Sequence, residues 1–103
     1  MKRFLTTTAL CAGLIAGTAQ AETWNMQSTF PGSLTQLGTM GKRVAEQITK
    51  ITDGEIEVAF QEPGAIVPAF EAFDAVGTGA VEAGWSNPGY WAGRVPALQL
   101  LAA

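Results

Sequence analysis

The residues best suited to chemistry fall in three short runs. Trp85, Ser86, Asn87, Tyr90 and Trp91 crowd one turn-rich stretch. Aromatic walls carrying a few hydroxyl and amide groups are how small-molecule sites are built. Trp and Tyr also bury large areas while keeping a polar tip. Trp85 and Trp91 could also be core plugs, and for Trp85, at the end of an expected strand, the two readings are even. Tyr90 and Trp91 follow a turn, which tilts them toward a cleft. The second run is Gln27 and Ser28, with Pro31, Gly32 and Ser33 just after. Loop amides opening onto a helix N-terminus there suit a carboxylate. The same residues also read as a capped turn with no ligand. The third run is Gln61, Glu62 and Pro63. Glu62 could hold a cation or accept from a hydroxyl, but it would repel an anion beside it. It reads most simply as a solvated loop carboxylate.

Much chemistry is excluded by residue type. The chain has no histidine and a single cysteine, Cys11. Ser-His-Asp triads, Cys-His dyads, Cys/His zinc sites and disulfide frameworks are therefore out of reach within it. No nucleophile lies beside a base, and no carboxylate pair has a spacing that implies shared work. Glu55 and Glu57 alternate on a strand and face water; Glu71 and Asp74 suit the outer side of a helix. No Gly-x-Gly-x-x-Gly follows the first strand, and no Gly-Lys-Ser/Thr phosphate loop occurs, so no cofactor is expected. A net charge of −3 gives no reason to expect nucleic acid or an anionic membrane surface as partner.

The elements that must position these residues begin after a leader. Lys2 and Arg3, an apolar stretch from Phe4 to Gly17, and Ala19-Gln20-Ala21 have the form of a cleavable secretory signal. The apolar stretch is too short to span a bilayer. Residues 1–21 are expected to leave on export, and Cys11 with them. Residues 22–103 then hold Lys42, Arg43, Lys50 and Arg94 against nine carboxylates, with no cysteine. A chain that short buries only about 60–65% of its unfolded surface, so its stability is marginal.

Five elements follow. Thr23 to Ser28 alternates as a half-buried strand. Phe30-Pro31-Gly32-Ser33 is a turn, with Ser33 placed to cap a helix. From Leu34 to about Thr52 the period is helical, with Leu34, Leu37, Met40 or Gly41, Val44, Ile48 and Ile51 on one face. Gly38 and Gly41 suggest close packing on a sheet, and Asp53-Gly54 ends the helix. Glu55 to Phe60 is a second strand. Pro68 suits the first turn of a second helix with a Phe70, Phe73, Val76 stripe, closed by Gly77-Thr78-Gly79. Ala80 to Ser86 is a short third strand, and Pro96 resists helix further on.

Strands alternating with helices give an α/β fold, a partial doubly wound parallel sheet of βαβαβ form. In such sheets ligands bind outside the carboxyl ends of the strands, which selects the three runs above. An apolar end from Leu98 to Ala103 and a three-stranded sheet with open edges are expected of the N-terminal part of a longer protein. Residues 22–103 are read as one incomplete domain.

These residues also resemble a known family. The resemblance rests on Ile51–Val58 (ITDGEIEV), Gly64-Ala65-Ile66-Val67-Pro68-Ala69, Phe73–Gly79, Val81-Glu82-Ala83-Gly84 and Tyr90-Trp91-Ala92-Gly93, in that order. With an exported N-terminus, the pattern resembles the periplasmic solute-binding subunits of TRAP transporters, the DctP-like family. The most similar branch is the one associated with mannitol, chloroaromatic or 2-oxo acid uptake. The resemblance implies a two-domain fold, a small organic acid held in the cleft between domains, and membrane subunits as partners. Within that expected cleft, the loops selected above make Gln27, Ser28, Trp85, Ser86, Asn87, Tyr90 and Trp91 the candidate ligand-binding residues. It also implies a carboxylate-clamping arginine from further along the chain, a place that Arg94 does not occupy. Two rival readings are a small exported α/β enzyme and the binding subunit of an ABC importer.

Overall fold

The computed structural model describes residues 20–102. The expected leader lies, as far as residue 19, outside the described residues. Strand β1 (Glu22–Ser28) is followed by helix α1 (Leu37–Ile51) and strand β2 (Ile56–Gln61). A single 3-10 turn at Ala69–Glu71 leads into helix α2 (Ala72–Thr78), and strand β3 is short (Ala83–Trp85). Two more 3-10 segments, Pro88–Trp91 and Pro96–Leu101, follow. The sheet is wholly parallel, in the order β2-β1-β3.

Parallel strands need right-handed crossovers. The first crossover runs from β1 to β2 and the second runs the opposite way, from β2 past β1 to β3, so α1 and α2 must lie on opposite faces. The glycines show it. A Cβ on Gly41 of α1 would meet the Trp85 ring at 2.7 Å and Phe60 at 2.8 Å. A Cβ on Gly84 would meet Val76 of α2 at 3.4 Å. Met26 pairs with Phe60 and Ala83, which puts these residues and Trp85 on the α1 side. The doubly wound arrangement expected from the sequence is therefore present.

Several local expectations shift. α1 starts at Leu37, not Leu34, because residues 32–36 form turns; Leu34 N–H donates to the Pro31 carbonyl at 3.0 Å. Ser33 lies outside the cap, and Gln36 occupies it without a side-chain bond. The inward face is shifted toward the small residues, with Gly41 of the expected face buried and Val44 and Ile48 half-buried. Gly38, Gly41 and Ala45 are buried, while Leu37, Met40 and Ile51 are exposed. The small residues win because a Cβ on Gly38 would collide with the Pro31 carbonyl oxygen and approach Gly32 Cα at 2.8 Å. Close approach of the backbones leaves no room for the leucines. The same happens in α2, where Ala72 and Ala75 are buried and Phe70, Phe73 and Val76 are not.

Three further details matter for the ends of elements. Asp53 and Gly54 both have positive φ and close α1, with Gly54 N–H donating to Thr49 O at 2.9 Å. Pro96 begins a short 3-10 segment instead of preventing one, since its fixed φ suits a first turn. The outer edge of β2 is not left bare. Val58 N–H donates to Thr49 Oγ1 at 3.1 Å, and Ile56 N–H to Thr52 Oγ1 at 3.2 Å. Thr49 of α1 and Thr52 at its C-cap thus cover backbone groups that would otherwise invite another strand.

Candidate functional site

β1 is the central strand, and its carboxyl end is buried on both sides. Met26, Gln27 and Ser28 are all inaccessible to solvent. The chain leaves β1 for α1 on one face and returns to β3 from α2 on the other. That makes the gap above β1 and β3 the switch point where open α/β sheets bind ligands. An open cleft of about 360 Å³ lies there, lined by Phe30, Leu37, Trp85, Ser86, Asn87 and Tyr90, with Leu101 and Ala102 at its margin.

Each wall has a local cause. Ser28 Oγ donates to the Phe30 carbonyl at 2.7 Å and accepts from Phe30 N–H at 2.9 Å, so the turn after β1 holds Phe30 in place. Trp85 ends β3, and its indole N–H donates to the Leu37 carbonyl at 2.7 Å, tying β3 to the start of α1. Ser86 Oγ and Thr29 Oγ1 lie 2.8 Å apart and share a hydrogen bond between the β3 and β1 loops. Asn87 Oδ1 accepts from Gly89 N–H at 2.8 Å and caps the Pro88–Trp91 turn. Tyr90 stands half exposed between Phe30 (6.1 Å between centroids) and Phe70 (5.5 Å, edge to face).

Four of the seven residues singled out from the sequence thus meet at one cleft: Trp85, Ser86, Asn87 and Tyr90. The other three lie elsewhere. Gln27 and Ser28 sit behind Phe30, fully buried, and bond to backbone groups. Trp91 is 6% exposed and stacks on Phe73 of α2, with centroids 5.3 Å apart and planes 24° apart. It lines a separate apolar groove with Phe73, Val76 and Leu98. Phe30, Leu37, Pro88, Leu101 and Ala102 line the cleft without having been selected from the sequence. The signal available for Phe30 was its place between the buried end of β1 and Pro31-Gly32.

Glu62 departs from its expectation as a freely solvated carboxylate. Its Oε2 accepts from Gly32 N–H at 2.8 Å, and Lys42 Nζ lies 3.6 Å from Oε1. The loop amide that suited a ligand carboxylate is bonded to a carboxylate of the chain itself. Lys42 in turn sits 5.6 Å from the centre of the Phe60 ring. Among the described residues no group of three or more His, Cys, Asp or Glu side chains could hold a metal ion.

Two carboxylates away from the cleft are electrostatically tuned. Arg94 donates to both oxygens of Asp74, at 2.8 and 2.7 Å, and this holds the Asp74 carboxyl below its ordinary 3.8. The Asn25 backbone N–H, 2.8 Å from Glu82 Oε2, holds Glu82 below 4.5. A carboxyl whose folded value is lowered stabilises the fold above its unfolded value and loses that contribution as pH falls through the folded one. Both contributions should be complete above about pH 5 and fade on acidification. Thermal melts between about pH 2 and 6 should therefore show a shallower acid slope for Asp74→Asn than for the unsubstituted chain. Identical slopes would mean that the exposed Asp74–Arg94 pair contributes nothing.

A parallel α/β sheet with an open cleft at its switch point is a common frame for small-molecule sites. The comparisons make the class specific. The chain is 38% identical over 78 residues to the monocarboxylate 2-oxoacid-binding periplasmic protein of Nostoc sp.. That alignment covers 73% of this chain and 20% of the relative. A TRAP transporter solute-binding protein from Bordetella bronchiseptica, with calcium and picolinate bound, superimposes with a TM-score of 0.71 at 27% identity. It covers 76% of this chain and 23% of that one. A TRAP periplasmic solute-binding protein from Pseudoalteromonas atlantica, with bound sodium and pyruvate, has the same fold here (TM-score 0.72, 21% identity, 79% of this chain and 25% of that one). No protein-family model matches. In sequence and in fold, the chain matches TRAP-type periplasmic solute-binding proteins over the described segment, and it spans about a fifth of the curated relative's length. These relatives are binding proteins, not enzymes. Among the described residues no helix is long and apolar enough to cross a membrane.

Proposed function

We propose that the chain supplies one wall of the ligand cleft of a periplasmic receptor that captures a small organic acid, of the 2-oxo acid class, for TRAP-type uptake. The observation that carries this is the 38% identity, over 78 residues, to a 2-oxoacid-binding relative. The lining supports it. Phe30, Trp85 and Tyr90 present flat faces, and Ser86 and Asn87 add a hydroxyl and an amide. That combination suits a small, planar, polar-edged solute. The signal sequence at residues 1–21 would deliver residues 22–103 to the periplasm. Membrane subunits of the transporter would receive the solute. In this reading Trp85, Ser86, Asn87 and Tyr90 meet the ligand, while Gln27, Ser28 and Trp91 support it from behind.

The test is a graft in which residues 22–102 replace the corresponding segment of the Nostoc protein. Titration calorimetry of the graft should show pyruvate binding at least roughly tenfold tighter than mannitol, a difference of about 1.4 kcal/mol. A folded graft that prefers the uncharged polyol, or binds neither, would reject the assignment.

A further inference from the structure

Gln27 is not exposed to the cleft; its amide reaches the end of β1 and the loop that follows β2. It is fully buried. Its Nε2 donates to the Ser28 carbonyl at 3.1 Å and to the Glu62 carbonyl at 3.0 Å. Its Oε1 accepts from Ile66 N–H at 3.3 Å. Both amide donors and the acceptor oxygen are therefore engaged. The two partners beyond β1 bracket the turn from Glu62 to Ile66, in which Gly64 takes a φ of +81° and Ala65 N–H returns to Glu62 O at 2.9 Å. Glu62 then passes the connection on through Oε2 to Gly32 N–H. Gly32 is buried and lies two residues after Phe30. A line of hydrogen bonds thus runs from the central strand to the second loop and back to the first, ending beside the cleft's Phe30 wall.

We propose that Gln27 is a positioning residue for the ligand cleft: its buried amide locks the Glu62–Ile66 turn to β1 and, through Glu62, fixes Gly32 and the Phe30 wall. This rests on the functional reading above. The physical reason is twofold. A buried network is worth most when every member is satisfied, and losing one member leaves the others unpaired in a low dielectric. Loops released from it populate the binding-competent arrangement for only part of the time, and apparent affinity falls by that fraction. Because Gln27 does not touch the solute, the fall is the same for every acid the cleft accepts.

Two variants and two readouts test this. Gln27→Met keeps length and volume but removes both donors and the acceptor. Glu62→Ala is on the surface and leaves the Gln27 contacts, which go to the Glu62 backbone carbonyl, in place. Amide hydrogen exchange in the 103-residue chain reads the lock directly. Gln27→Met should speed exchange at both Ile66 and Gly32 by roughly tenfold or more, while Glu62→Ala should do so at Gly32 alone. In the Nostoc graft, measured well below the melting temperature, Gln27→Met should weaken pyruvate and its longer 2-oxo homologues by one common factor of roughly tenfold. Unchanged exchange at Gly32 in Gln27→Met overturns the lock. A loss of affinity that differs between acids overturns it too, by making Gln27 a ligand contact. An unsubstituted graft that binds no acid defeats the functional reading alone, and the exchange rates then decide the lock. Should Gln27→Met not fold, Glu62→Ala decides, and unchanged exchange and affinity in that variant refute the proposal.

Discussion

Replacing Trp91 with alanine is expected to lower the melting temperature by at least about 12 °C, through a loss of roughly 3 kcal/mol. Trp91 is one of the few large side chains that the described residues bury, and the other buried apolar residues are mostly Ala, Val and Met. Its ring stacks on Phe73, and its carbonyl accepts from Arg94 and Val95 N–H groups, both at 2.9 Å. Truncating it opens a cavity between α2 and the turns that follow β3, next to the groove lined by Phe73, Val76 and Leu98. We set the loss at the low end of the range for buried Trp or Phe because Phe73 is itself 40% exposed and water can enter. Trp91→Phe keeps a stacked ring and should lose markedly less. Thermal melts followed by circular dichroism make the measurement. A Trp91→Ala chain that melts normally, while the same change in the graft abolishes acid binding, would place the ring at the ligand instead.

That prediction shows where the sequence is informative and where it is not. Element types and order were legible because strand and helix periods differ and because Asp53-Gly54 and Gly79 mark helix ends by backbone conformation. The inward face of α1 was legible only in part. Periodicity left Met40 or Gly41 open and placed Leu37 and Ile51 inside, while the two glycines pointed to close packing on the sheet. The fold instead buries Gly38, Gly41 and Ala45, since α1 lies so close to the Pro31-Gly32 backbone and to Trp85 and Phe60 that only small residues fit. The glycines carried that information, and their weak helix propensity was the visible trace of it.

The site was half legible for a related reason. Topology places the carboxyl ends of β1 and β3 together, so Trp85, Ser86, Asn87 and Tyr90 could be gathered from the sequence without a structure. Which way a side chain points from a loop depends on hydrogen bonds that no periodicity encodes. Gln27 alternates away from the α1 side of β1, and it meets the Glu62–Ile66 turn only because that turn folds back over the strand end. Trp91 differs from Tyr90 by one residue in a 3-10 turn, which rotates it by about 120° toward α2. The polar residues of such a stretch therefore divide between ligand-facing and loop-holding roles that only the three-dimensional pairing separates.

The isolated chain is expected to bind no 2-oxo acid in the micromolar range. Micromolar affinity needs about 8 kcal/mol. Three terms are available to a carboxylate at this wall. No lysine or arginine lines the switch-point cleft. Arg43 lies in the adjoining recess with Leu37, Met40 and Trp85, and an exposed ion pair there is worth about 0.2–1 kcal/mol. The α1 N-terminus adds about 0.3–1 kcal/mol, and the loop amide at Gly32 is already bonded to Glu62. Stacking on Tyr90 or Trp85 in an open cleft leaves the solute's other face in water, so neither the charge nor the ring is fully desolvated. The missing several kcal/mol must come from a second wall that closes over the solute, excludes water and brings a buried cation, as hinge closure of two domains does. Calorimetric titration of the purified chain with pyruvate and a panel of other 2-oxo and simple carboxylic acids, beside the graft, measures this. The expected result is no saturable heat below millimolar acid for the chain, against saturation for the graft. Micromolar binding by the chain alone would overturn the single-wall account and require the cation at Arg43 to be drawn into the cleft, which Arg43→Gln would then abolish.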